Sequence, residues 1–106
     1  MYNVVKRDGK LVNFDITKIS SAIKQAFDAC QKQYNQDVID FLALKVTAAF
    51  EPKIEDGKIS VEHIQDSVES VLIKAGYDEV AKAYILYRRQ HEKLRNLNAT
   101  VLNYKD

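Results

Sequence analysis

The residues of this 106-residue chain best suited to chemistry are cations in three places. Lys6 and Arg7 end the stretch Val4-Val5-Lys6-Arg7-Asp8-Gly9, Lys18 stands three residues after Asp15, and Arg88 and Arg89 follow the apolar run Val80 to Tyr87. Cations brought together from separate elements bind anions, phosphate above all, with Arg offering a planar fork and Lys a point charge. Lys18 is the informative one. Asp15 is a good helix N-cap, so Lys18 falls in a first helical turn, where a cation opposes the macrodipole by a few tenths of a kcal/mol. An anion held between the hairpin and the helix start would account for it, because the free N–H groups there attract one. The alternative is a solvated lysine paired with Asp15 or with nothing.

Covalent and metal chemistry find little support. There is no GxSxG, no HExxH and no nucleophile with an evident base, and three glycines in all exclude a GxxxxGK[ST] phosphate loop. His63 and His91 fall on different predicted helices without the spacing of a metal pair, and read as solvated or helix-end histidines. The single cysteine, Cys30, lies on an apolar helical stripe and reads as a buried, inert thiol. One cysteine excludes a disulfide within the chain and a thiolate cluster. The chain is expected to be no enzyme in itself, with no catalytic residues.

The elements that must position the cations follow from periodicity and punctuation. Tyr2 to Arg7 and Lys10 to Phe14 read as strands joined by Asp8-Gly9, a strong hairpin signal. A two-residue turn would set Val5 opposite Val12 and Lys6 opposite Leu11, with Val5, Val12 and Phe14 on the core face. Lys6 and Arg7 would then point to opposite faces. A first helix follows Asp15, with Ile16, Ile19, Ile23, Phe27 and Cys30 on one stripe, to about residue 31. A second carries Val38, Leu42, Val46 and Ala49, with Phe41 and Phe50 beside them, and stops before Pro52. Asp56-Gly57 signals another turn, and Lys58-Ile59 is a candidate third strand. Ser60 caps a third helix striped by Val61, Ile64, Val68, Val71 and Leu72, and Gly76 closes it. Asp78 is read as the cap of a fourth, apolar nearly all round from Val80 to Tyr87 and therefore central. From about Asn96 the helical periodicity is lost.

The predicted fold class is α+β: a four-helix domain capped by a small β-hairpin or three-stranded antiparallel sheet. Its 46% apolar and 29% charged residues are ordinary for a globular domain. No apolar run approaches the roughly 20 residues of a membrane helix, and the first residues lack a secretory pattern. A net charge of +1 argues against nucleic acid as a partner. A cytoplasmic protein, bound to neither membrane nor nucleic acid, is the expectation.

Three stretches carry a family resemblance. Val5-Lys6-Arg7-Asp8-Gly9 with Phe14-Asp15 and Lys18-Ile19 resembles the opening of the ATP-cone, the regulatory nucleotide-binding domain of ribonucleotide reductases. Ile59-Ser60-Val61-Glu62-His63-Ile64-Gln65-Asp66 and the run from Ala81 to His91 are similar to its later segments, in the same order. The likeness covers about residues 2 to 95, giving a regulatory domain over 1–95 and a linker over 96–106 toward a catalytic domain. That exit is similar to the one in the anaerobic, glycyl-radical class of ribonucleoside-triphosphate reductases.

The resemblance implies a domain that binds ATP or dATP, with Mg²⁺ on the nucleotide, and so controls the activity and assembly of a reductase. Lys6 and Arg7 would be phosphate ligands. Val12, Asn13, Phe14 and Asp15 would border the adenine, with Lys18 lining the pocket. Val61 and Gln65 would sit near the ribose or phosphates, and Arg88 or His91 would close the phosphate end. Asp8, Gly9 and Ile19, from the same matching stretches, complete the nucleotide-binding set. The implied partners are the adenine nucleotide, the parent's catalytic domain and further copies in a homo-oligomer. Two other readings are the ATP-cone of a nucleotide-responsive transcription repressor and a degenerate cone with only a structural or oligomerisation role. The repressor architecture carries a zinc ribbon ahead of the cone, and no CxxC precedes Val5.

Overall fold

In the computed structural model the backbone is described for residues 2–105 and the side chains for residues 2–92. The order of elements is β1 (Asn3–Val5), β2 (Leu11–Asn13), α1 (Ile16–Ala29), α2 (Gln36–Phe50), β3 (Lys58–Ser60), α3 (Val61–Lys74) and α4 (Asp78–Lys105). The α+β class and the four helices are as expected, but the sheet is mixed. β1 lies between β2, to which it is antiparallel, and β3, to which it is parallel. Parallel neighbours need a crossover, and α1 and α2 supply it here.

The two Asp-Gly pairs make different turns. Asp56 and Gly57 both have positive φ, +52° and +70°, and Glu55 and Lys58 exchange backbone hydrogen bonds around them. That is the two-residue turn of type I′ form expected at Asp8-Gly9. At the hairpin, Lys6 pairs with Lys10 instead, and Gly9 N donates to Lys6 O at 2.9 Å with φ +86°. The connection is therefore a three-residue loop with Gly9 as a left-handed bulge residue. The register moves by one, so that Val4 faces Val12 and Val5 faces Leu11. Val4 is buried where Val5 was expected to be.

Aromatic rings seat the sheet on the helices. Tyr2, Phe14 and Phe50 have ring centroids 4.8 to 5.9 Å apart, and Phe50, the last residue of α2, is fully buried. Beneath them α1 contributes Ile19, Ile23, Ala26 and Phe27, and α3 contributes Ile64, Val68, Val71 and Leu72. Burying each large aliphatic side chain contributes roughly 1.5–3 kcal/mol.

The ends of the helices follow local chemistry. Asp15 and Ser60 cap α1 and α3 with their side chains, as expected. α3 closes with Gly76 at φ +87°, where Gly76 N donates to Ile73 O and Tyr77 N to Leu72 O, the paired bonds of a Schellman motif. α1 closes in the same way two residues early, with Gln31 at φ +56° in the glycine position.

Five expectations need correction. α2 buries Ile39, Leu42, Ala43, Val46 and Phe50, leaving Phe41 and Ala49 exposed. α4 is not apolar-buried on every side, since Leu86 is 58% exposed while Val80, Ala81 and Tyr84 are buried. Asp78 lies within the first turn of α4 rather than before it. The helix continues to Lys105 through the stretch where apolar periodicity fades. Cys30 is half-buried, with its Sγ 3.5 Å from Phe27 O.

Candidate functional site

The hairpin register decides where Lys6 goes. Side chains two apart on a strand share a face, so Lys6, just past β1, follows buried Val4 to the inner side of the sheet, the side that carries Val12 of β2. There it meets a cleft of about 200 Å³ between the sheet and helices α1, α3 and α4. The walls are apolar: Val12 from β2 and Phe14 just after it, Ile19 and Ala22 from α1, Val61, Ile64 and Val68 from α3, and Tyr84 and Tyr87 from α4. Polar groups are few and lie among them: Lys6, Asn13, Asp15, Lys18 and Gln65. An apolar slot with a few directed polar groups is the usual form of a small-molecule site.

Two cations face this slot. Lys6 and Lys18 both line it, and among the described residues neither has a carboxylate within salt-bridge distance. Asp15 does not neutralise Lys18. Its carboxylate accepts from Thr17 Oγ1 at 2.6 Å and from Thr17 N at 3.0 Å. Those bonds, with the nearby Lys18 charge, hold its pKa below the ordinary carboxylate range. Asp15 is thus committed to capping α1, while Lys18, exposed, lines a site that already lies at a helix N-terminus. Burial pushes the Tyr84 hydroxyl well above its ordinary value, so that it stays protonated as a donor at the cleft wall.

Of the expected site residues, Lys6, Val12, Asn13, Phe14, Asp15, Lys18, Ile19, Val61 and Gln65 come together in this one cleft. Arg7 does not line it. Leaving the strand at the first loop position, Arg7 reaches past the hairpin end to donate to Gln65 Oε1 at 3.2 Å and to pair with Glu92 Oε1 at 3.1 Å. Asp8 and Gly9 are exposed on the loop and do not line the cleft either, Asp8 accepting from Lys10 N.

Arg88 is turned away from the cleft. Its Nη1 donates to Asp66 Oδ1 at 2.9 Å and to Glu69 Oε2, clamping α4 to α3. Burial works against its charge, but those bonds outweigh it and hold the guanidinium above its ordinary pKa. His91 is exposed and packs against the Tyr87 ring at 4.2 Å between centroids. The wall residues not singled out in the sequence are Val4, Ala22, Ile64, Val68, Tyr84 and Tyr87. Tyr84 and Tyr87 carry a usable signal, since two tyrosines three apart on one helix share a face.

No cluster of three or more His, Cys, Asp or Glu side chains with metal-holding geometry occurs among the described residues, and no helix there is long and apolar enough to cross a membrane. What the cleft can do is hold a ligand with an apolar, ring-sized part against Phe14, Val12 and the tyrosines. Its anionic part would lie at Lys6 and Lys18.

Comparison with known proteins places the chain among relatives of one family. The sequence profile of the family described as the ATP cone domain matches residues 2–93. The chain is 40% identical over 98 residues to a vitamin B12-dependent ribonucleoside-diphosphate reductase of Mycobacterium tuberculosis, covering 91% of this chain and 13% of that protein. It is 33% identical over 102 residues to a ribonucleoside-diphosphate reductase subunit alpha of Chlamydia muridarum, covering 89% of this chain and 10% of the relative. To the anaerobic ribonucleoside-triphosphate reductase of Escherichia coli it is 31% identical over 103 residues, covering 93% and 14%. The chain thus spans about a tenth of the length of these relatives.

Proposed function

The chain belongs to the ATP-cone family, and from that we propose that it is the nucleotide-sensing regulatory domain of a ribonucleotide reductase, binding ATP or dATP in the cleft under the hairpin. One observation carries the reading: Lys6 and Lys18, from two different elements, face the same apolar slot without carboxylate partners among the described residues. Both lysines are exposed at the edge of the apolar walls, and a polyphosphate whose base fills the slot would pair with both together. Phe14 and Val12 supply the surface for the purine, and Gln65, Asn13 and the tyrosine hydroxyls supply polar contacts for the sugar. Mg²⁺ arrives on the phosphates, which is how that ion usually meets a nucleotide site.

ATP and dATP differ by one hydroxyl, so opposite responses to them require a contact to that hydroxyl or a different stoichiometry. Output passes from the cleft to the catalytic part of the parent and to further copies in a homo-oligomer, in the cytoplasm, with neither membrane nor nucleic acid as a partner. The similarity of residues 94–106 to the exit of the anaerobic class supports an anaerobic ribonucleoside-triphosphate reductase as the parent. The relatives themselves extend over several reductase classes. Calorimetric titration with ATP and dATP in Mg²⁺ tests the reading: saturable heat lost on Lys18→Ala upholds it. No heat with either nucleotide leaves a purely structural module.

A further inference from the structure

Arg7 is held outside the cleft by two acceptors of different kinds. Gln65 Oε1, at 3.2 Å, belongs to a side chain that itself lines the cleft. Glu92 Oε1, at 3.1 Å, belongs to α4 and does not. The guanidinium therefore sits directly behind a cleft wall, with Lys6, its neighbour in sequence, on the other side of that wall. Its position on a three-residue loop, bounded by the Lys6–Lys10 pairing, leaves its side chain free of the strand's alternation.

The two ends of the Arg7–Glu92 pair differ in exposure. The Arg7 side chain is 20% exposed and that of Glu92 is 50% exposed. A carboxylate half in water holds its partner weakly. A polyphosphate offers more charge, and paired oxygens that match the guanidinium fork. The packing of α3 against α4 does not depend on Glu92, because Arg88, one turn earlier, is tied to Asp66 and Glu69. Loss of the Glu92 contact would leave the helices together and release only the hairpin loop.

We propose that Glu92 competes with the bound anion for Arg7. Without ligand, Arg7 links the hairpin loop to α4. With a polyphosphate at Lys6, Arg7 keeps to the Gln65 side, turns to the phosphates and lets Glu92 go. Occupancy of the cleft is thereby reported to α4 as the loss of one ion pair. This rests on the reading of the cleft as a nucleotide site and names the contact by which that site is regulated.

The test is a double-mutant cycle on the full 106-residue chain, with ATP and with inorganic tripolyphosphate as probes. Glu92→Gln is expected to tighten binding about two- to fivefold, the worth of a half-exposed ion pair. In an Arg7→Ala background the same substitution is expected to leave affinity unchanged. Equal gains in both backgrounds would mean that Glu92 merely repels anions at a distance, and would overturn the proposal. Unchanged or weaker binding by Glu92→Gln would overturn it too. Lys18→Ala separates the two levels. If the unaltered chain binds, Lys18→Ala weakens binding and Glu92→Gln has no effect, only the competition fails. If nothing binds, the cleft reading fails and the competition with it.

Discussion

Val4 stands directly across the hairpin from Val12, and this pairing places Lys6 on the inner side of the sheet, over the cleft. A register shifted by one residue would carry Lys6 to the outer side with Leu11. Gly9 maintains the register, because its φ of +86° closes the three-residue loop.

Gly9→Ala should therefore cost roughly 1 kcal/mol of stability, the ordinary penalty for a side chain in the left-handed region. The cost is conformational rather than steric, since a Cβ there meets nothing within 4 Å. Denaturant unfolding measures it, and a companion titration should find ATP affinity reduced as the hairpin end loosens.

Gln31→Gly should act in the opposite direction. Gln31 holds φ +56° in the closing motif of α1, a position where glycine carries no Cβ penalty. A gain of about 0.5–1 kcal/mol in unfolding free energy is expected, less whatever the freer unfolded chain takes back.

Arg88→Met should destabilise the chain by about 1–3 kcal/mol, because Asp66 and Glu69 are left facing each other without their shared cation. Chemical denaturation gives the magnitude. Nucleotide affinity should fall far less than for Lys18→Ala, since Arg88 does not line the cleft.

Asp15 gives the pH dependence its sign. Its bonds from Thr17 hold its folded pKa below the ordinary value of 3.8, so its charge contributes stability that is present above about pH 4 and lost as pH falls through the depressed folded value. Asp15→Asn keeps an oxygen acceptor and removes the charge. Nucleotide-free unfolding curves should separate from those of the parent chain at neutral pH and converge with them in acid.

The helices were legible because their signals are local. Asp15, Ser60, Pro52 and Gly76 punctuate the chain within a residue or two of where helices start or stop. Register was less so. Asp-Gly fits both a two-residue turn and a bulged three-residue loop, and Asp56-Gly57 and Asp8-Gly9 adopt one each. The parallel pairing of β1 with β3 depends on how two intervening helices pack, which no local stretch encodes. On α2 the apolar residues outnumber the positions one face can bury, so Phe41 was set beside the Val38, Leu42, Val46 and Ala49 stripe, yet it is 57% exposed while Ile39 is buried.

Within the site the cations divide in the same way. Lys18 stood out because it breaks a helix rule, whereas strand alternation in the expected register sent Lys6 to the outer face, and only the three-residue loop turns it inward. Arg88 was misplaced because its partners, Asp66 and Glu69, lie on another helix, 22 and 19 residues earlier. The two adjacent cations part at the loop: Lys6 lines the cleft from the end of the strand, and Arg7 goes round the hairpin end to Gln65 and Glu92.

The most direct test of the central claim is to follow backbone amide resonances of the chain during titration with ATP in Mg²⁺. Saturable shifts are expected at Lys6, Val12 to Ile19, Val61 and Gln65, with the exposed residues of α2 at Phe41, Leu44 and Lys45 unmoved. Shifts confined to α2, or none with ATP in large excess, would contradict the assignment of this cleft as the nucleotide site.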